Sequence, residues 1–150
     1  MAAQLAKELR ERREIAPLGG RPGMGKTALA QCVAMNVAWA QESVAFFSLE
    51  MSSDQLASRV LADVSGVPSD KMRKGELTPR DYEAIREAAT QMEGLPLYID
   101  DMGGISISQL AARARRLQRT SGLDLLIIDY LQLVTPSGNR KGDGRVQEVT

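Results

Sequence analysis

The sequence predicts an α/β fold: a mostly parallel sheet, covered by helices on both faces, that presents a phosphate-binding loop. Three observations carry this expectation. Short runs rich in apolar residues (44–49, 96–99 and 123–128) each lead to a carboxylate, at Glu50, Asp100-Asp101 and Asp129. Stretches of helical periodicity separate them, two opened by Ser-x-x-Gln capping boxes at Ser52 and Ser106. Residues 20–27, Gly-Arg-Pro-Gly-Met-Gly-Lys-Thr, fit the pattern G-x-x-x-x-G-K-[ST]. Strands alternating with helices build parallel sheets, and such sheets bind ligands at the carboxyl ends of their strands. Glu50, Asp101 and Asp129 all fall at such ends, on the side where the loop must lie.

The elements follow in order. Residues 1–14 are set apart as a charged N-terminal helix, with Leu5 and Leu9 on one face and Glu8–Arg12 and Arg10–Glu14 pairs one turn apart. Residues 15–150 form the domain proper. Ile15 to Gly19 is the expected strand into the loop, although Pro17 cannot donate to a central ladder. Ala28 to Ala40 is an almost uniformly apolar helix, so Leu29, Val33, Met35, Val37 and Trp39 are expected in the core. Val44 to Leu49 reads as a strand covered on both faces and as the neighbour of the loop strand. The helix after Ser52 places Leu56, Val60, Leu61 and Val64 on one side.

Thr78-Pro79 opens a further helix whose expected inner stripe is Tyr82, Ile85, Ala89 and Met92. Pro96 to Ile99 is a short strand ending in Asp100-Asp101. The helix capped by Ser106 turns Ile107, Leu110, Ala111, Ala114 and Leu117 to the sheet, and Gly122 closes it. Leu123 to Ile128 is the last strand, and residues 134–145 have the composition of a mobile loop.

Bulk composition narrows the function. The 150 residues are 43% hydrophobic, enough for one globular core. With 19 basic and 19 acidic residues the net charge is zero, so any nucleic-acid contact must be local. The lack of histidine excludes imidazole acid–base chemistry and His-containing metal sites within these residues. Cys32 is the single cysteine, which excludes an internal disulfide and suits a reducing cytoplasm. No apolar run approaches a membrane span, and no signal-peptide pattern follows Met1.

The loop has a physical reason at each fixed position. Gly20, Gly23 and Gly25 permit turn conformations and close approach to a ligand. The amides of Gly23 to Thr27 form an anion nest at a helix N-terminus, flanked by Arg21, Pro22, Met24 and Ala28. Lys26 supplies a point charge for the β- and γ-phosphates, and the Thr27 hydroxyl a ligand for Mg²⁺. The expected ligand is ATP with Mg²⁺. Leu125 to Asp129 is the apolar strand ending in a carboxylate that serves the metal, so Thr27 and Asp129 are the expected metal-side residues. Tyr130 follows Asp129 in place of a second acid, so the water-orienting carboxylate must come from elsewhere. Glu50 is the candidate, and with Lys26 it makes the catalytic pair.

Other charges have plainer readings. Asp100 and Asp101 read as a strand end and a cap, with an outer-shell metal role as the alternative. Arg115, Arg116 and Arg119 point away from the sheet on a helical period, as a solvated or intersubunit face. Lys71, Arg73, Lys74, Arg140 and Lys141 read the same way. Aromatic residues are only 4%, so no base-stacking platform is visible.

With these elements placed, the chain resembles the RecA-like C-terminal motor domain of DnaB-type replicative DNA helicases from about Gly19 to Leu133. The shared blocks are the loop, Phe-Phe-Ser-Leu-Glu-Met-Ser (46–52), Tyr-Ile-Asp-Asp (98–101), Ala-Arg-Arg-Leu (114–117) and Leu-Ile-Ile-Asp-Tyr-Leu-Gln-Leu (126–133). The resemblance implies a P-loop NTPase sheet truncated at its C-terminal side, the front half of a motor. It also implies Glu50 as the water-activating residue, with Lys26, Thr27 and Asp129 serving phosphate and Mg²⁺. A cytoplasmic homohexamer that spends ATP to move along single-stranded DNA is the implied assembly, with primase and a helicase loader as partners. No arginine finger, sensor or DNA-binding loop of that family can be assigned to a residue here. The residues also admit another RecA-like ATPase, such as a recombinase, or a nucleotide-binding module without turnover of its own.

Overall fold

A three-stranded parallel sheet of order β2-β1-β3 organises the chain, as a computed structural model shows for residues 17–21 and 23–130. The elements are α1 (Lys26–Trp39), β1 (Val44–Ser48), α2 (Ser53–Ser65), α3 (Ser69–Lys74), α4 (Pro79–Met92), β2 (Leu97–Asp100), α5 (Ile107–Ser121) and β3 (Leu125–Asp129). The N-terminal helix and the loop at 134–145 lie outside the described residues.

β1 is the central strand, buried at every position. Val44 pairs with Leu97 on one side and Leu125 on the other, and the register runs on to Ser48 beside Asp129. Side chains of a strand alternate between faces, and β1 splits the core accordingly. Val44 and Phe46 pack with Val33, Ala34, Val37 and Ala38 of α1 and with Leu56 of α2. Ala45, Phe47 and Leu49 pack on Ile105 and on Leu110 and Ala114 of α5. A continuous apolar run is thus what a strand with a helix on each face requires. At the opposite end of the sheet, the Ser43 amide donates to the Asp124 carboxylate at 2.9 Å and its hydroxyl to the Gly122 carbonyl at 2.8 Å, clasping β1 to β3.

Three helices start in full capping boxes, at Ser52/Gln55, Thr78/Asp81 and Ser106/Gln109. Each box satisfies amides that the first turn leaves without intrahelical partners.

Several expectations are corrected. Both ladder sides of β1 are taken by β2 and β3, so a strand preceding the loop cannot be its hydrogen-bonded neighbour. Ile15 and Ala16 lie outside the described residues, and Pro17 to Gly19 are not strand. Trp39 is 42% exposed, not core: with Cys32 and Asn36 it lies on the outer stripe of α1. Tyr82 and Ala89 are exposed as well. The inner stripe of α4 runs instead through Asp81, Ile85, Ala88 and Met92. Ile107, in the first turn of α5, is exposed while Leu110 and Ala114 are buried. Short helix α3 was not foreseen. Its Asp70 is bonded by both Arg73 and Lys74, and Lys71 reaches Asp81, so each of its basic residues has an acidic partner.

Candidate functional site

The loop residues converge on the start of α1. Gly23 and Gly25 hold φ of 79° and 80°, a left-handed conformation that a Cβ would strain. Gly25 is the N-cap of α1 and offers no side-chain cap, so the first-turn amides remain available to an anion. The Lys26 ammonium curls back over the loop, donating to the carbonyls of Gly20 at 2.9 Å and Arg21 at 3.0 Å. A Cβ on Gly20 would stand 3.4 Å from Lys26 Cγ, in ordinary van der Waals contact with the lysine stem. Met24 and Ala28 are exposed beside the loop, and Pro22 lies outside the described residues.

Thr27 and Asp129 meet across 102 residues of chain: Thr27 Oγ1 donates to Asp129 Oδ2 at 2.6 Å. Strand parity explains the meeting. Leu125 and Ile127 of β3 pack on the α1 side, and Asp129 follows in the same phase. Its carboxylate is therefore delivered to the first turn of α1, where it is 8% exposed. The Leu49 amide donates to the Asp129 carbonyl at 2.8 Å, and the Asp129–Tyr130 peptide is cis.

Glu50 follows in the turn between β1 and α2, exposed, two residues beyond the Ser48–Asp129 register pair. Lys26, Thr27, Asp129 and Glu50 thus gather at the carboxyl end of the sheet. Asp100 and Asp101 lie at the same end of the sheet but one strand further from Thr27 and Asp129. They close β2, on the far side of β1 from Asp129. Asp100 is gripped by Arg113 of α5 and accepts the Met102 amide at 3.1 Å; Asp101 accepts the Ser53 amide at 2.7 Å. That amide holds the Asp101 carboxyl below its usual range. Arg115, Arg116 and Arg119 are exposed on α5.

Sequence reasoning missed two contacts. Buried Gln31 donates to Asp63 at 3.2 Å, tying α1 to α2, and Asp101 reaches the start of α2. Neither has a local signal, because the partners lie 32 and 48 residues apart. Among the described residues, no helix is long and apolar enough to cross a membrane.

A parallel sheet that delivers a strand-end carboxylate to the threonine of a glycine loop is the build of a P-loop NTPase of RecA-like type. Solved structures agree: one ATPase domain superposes with a TM-score of 0.75 at 27% identity, over 83% of this chain and 45% of that one. A DnaB-like replicative helicase, studied with its primase interactions, gives 0.74 at 27% identity, over 83% of this chain and 30% of its own. The model for the DnaB-like helicase C terminal domain matches residues 8–150, and the chain belongs to that family.

Curated relatives include the replicative DNA helicase DnaC of Bacillus subtilis, 42% identical over 141 residues, and DnaB of Geobacillus stearothermophilus, 41% identical over 141. Each alignment takes in 93% of this chain and 31% of the relative. The chain therefore spans about a third of the length of these relatives.

Proposed function

We propose that the chain is the ATP-binding and ATP-hydrolysing motor core of a replicative DNA helicase. The observation that carries this reading is the 2.6 Å bond between Thr27 and Asp129, which joins loop and strand end into one site. A hydroxyl and a carboxylate are hard oxygen donors suited to Mg²⁺, which keeps several waters and takes further ligands from phosphate. The donors present fit the ion.

The loop then has a definite task. The amides of Gly23 to Thr27, with Gly20 and Ala28 at its margins, receive the phosphates, and Arg21, Pro22 and Met24 complete the set of nucleotide-binding residues. Lys26 exchanges the Gly20 and Arg21 carbonyls for the β- and γ-phosphate oxygens. Thr27 and Asp129 would hold Mg²⁺, which would supply charge neutralisation at the phosphate oxygens. Glu50, free of hydrogen bonds and ion pairs to other described residues, orients the attacking water and accepts its proton.

Residues 1–14 act as a segment apart from the ATPase unit at 15–150. The assembled protein is a cytoplasmic homohexamer that couples turnover to movement on single-stranded DNA, with primase and a loader as partners. Family membership supports the assembly, and the primase interaction of the structural relative supports that partner; the family match begins at residue 8 and does not mark the 14/15 boundary. Glu50→Gln tests the chemistry. It should lower ATP turnover by about 10²-fold or more while nucleotide affinity is kept. Unchanged turnover would remove Glu50 from the mechanism.

A further inference from the structure

The turn that carries Glu50, taken with the first residue of α2, spans Leu49 to Ser53, and its hydrogen bonds fall into two kinds. Some are local: Ser48 Oγ donates to the Met51 carbonyl at 2.7 Å, and Ser52 and Gln55 exchange the bonds of their capping box. Two reach other elements. The Leu49 amide donates to the Asp129 carbonyl at 2.8 Å, and the Ser53 amide donates to Asp101 Oδ2 at 2.7 Å. The Leu49 bond is made by backbone alone. Asp101 is therefore the one side chain from another element that holds this turn by a hydrogen bond among the described residues.

We propose that Asp101 is a positioning residue for Glu50: its carboxylate fixes the first turn of α2 and so sets where the Glu50 side chain stands relative to Asp129. The inference rests on the reading of Glu50 given above. The Glu50 turn is slung between two strand ends, Asp129 of β3 on one side and the Asp100–Asp101 corner of β2 on the other. The residue before Asp101 is braced. Asp100 pairs with Phe47 in the ladder, and Arg113 of α5 grips its carboxylate. An ionised acceptor on a backbone N–H makes a stronger bond than a neutral one. The Ser53 amide lowers the carboxyl's pKa, so the bond is in its charged form at neutral pH. A general base misplaced by about an ångström can cost up to about 10²-fold in rate, so a tether of this kind matters without touching nucleotide.

The experiment compares Asp101→Ala and Asp101→Asn, each alone and in a Glu50→Gln background. It reads ATP turnover, affinity for a fluorescent ATP analogue with Mg²⁺, and amide hydrogen exchange across residues 49–53. Asp101→Ala should lower kcat roughly 10-fold. Analogue Kd should stay within about twofold, because uniform binding is untouched. Exchange at Ser53 should speed up, and Asp101→Asn, which retains an acceptor, should recover most of the loss. On top of Glu50→Gln, Asp101→Ala should cost nothing further, since it acts through Glu50. Additive losses, or a Kd that weakens in step with kcat, would overturn the positioning role. Unaltered exchange at Ser53 would overturn the tether while leaving Glu50 in place. Wild-type turnover by Glu50→Gln would overturn the reading of Glu50 itself, whatever the exchange data show.

Discussion

Replacing Thr27 with valine keeps the shape of the side chain and deletes the hydroxyl that reaches Asp129. Thr27 Oγ1 sits 2.6 Å from an Asp129 carboxylate that is 8% exposed, so water cannot readily take the place of the lost donor. A hydrogen bond to a charged group contributes about 1.5–3 kcal/mol, and a buried acceptor stripped of its partner forfeits a comparable amount. Thr27→Val should therefore lower unfolding stability by about 1.5–3 kcal/mol. For a chain of this size that is a fall in Tm of about 3–12 °C. Urea unfolding at neutral pH reads it directly, as a lower midpoint with unchanged m value. Thr27→Ser is the control. It keeps the hydroxyl and loses one half-buried methyl, so its cost should stay under about 1 kcal/mol. A valine variant within about 0.5 kcal/mol of the parent would refute the reasoning, because surface changes away from any such contact fall in that range.

Two further predictions concern stability. Phe46 is 1% exposed at the centre of β1, so Phe46→Ala should cost about 3–5 kcal/mol by thermal or urea unfolding; a cost below that of Thr27→Val would contradict the core described here. The carboxyls of Asp70, Asp81 and Asp101 are held below the ordinary value of 3.8, by the Lys74 ammonium and Arg73, by the Thr78 amide and hydroxyl, and by the Ser53 amide respectively. Because the folded values are depressed, the stability these groups supply is complete above 3.8 and is lost as pH falls through the lower folded values. The urea midpoint should therefore drop on acidification below about pH 4, and a midpoint that rose there would contradict the assigned bonds.

Much of this architecture was legible because its signals are local. Ser52 and Ser106 announced their helices through partners three residues on, and the run at 44–49, apolar but for Ser48, demanded a strand with helices on both faces. The capping box at Thr78 was hidden because Asp81, not Glu or Gln, closes it. Other features failed where the signal has no contrast. α1 is apolar almost all round, so periodicity could not separate Trp39 on the outer stripe from Val37 and Ala38 within. In α4 the stripe is shifted by one residue onto Ala88, a side chain too small to mark a face against Tyr82.

The candidate site divides in the same way. The loop from Gly20 to Thr27 is contiguous and could be read from spacing alone. That Asp129 reaches Thr27 depends on strand phase over 102 residues, which the apolar run to Ile128 suggested and the ladder makes explicit. Strand order was not legible at all. Nothing local says that β1 pairs with β2 and β3 on its two sides, and the tether from Asp101 to Ser53 follows only from that order.

The central claim is that Lys26, Thr27 and Asp129 form one site for a magnesium nucleotide. Equilibrium binding of a fluorescent ATP analogue to the chain, with and without Mg²⁺ and with Lys26→Ala beside the parent, tests it most directly. The expected result is saturable binding that strengthens with Mg²⁺ and is lost in Lys26→Ala. Absence of binding by a chain that circular dichroism shows to be folded, or equal binding by Lys26→Ala, would contradict it.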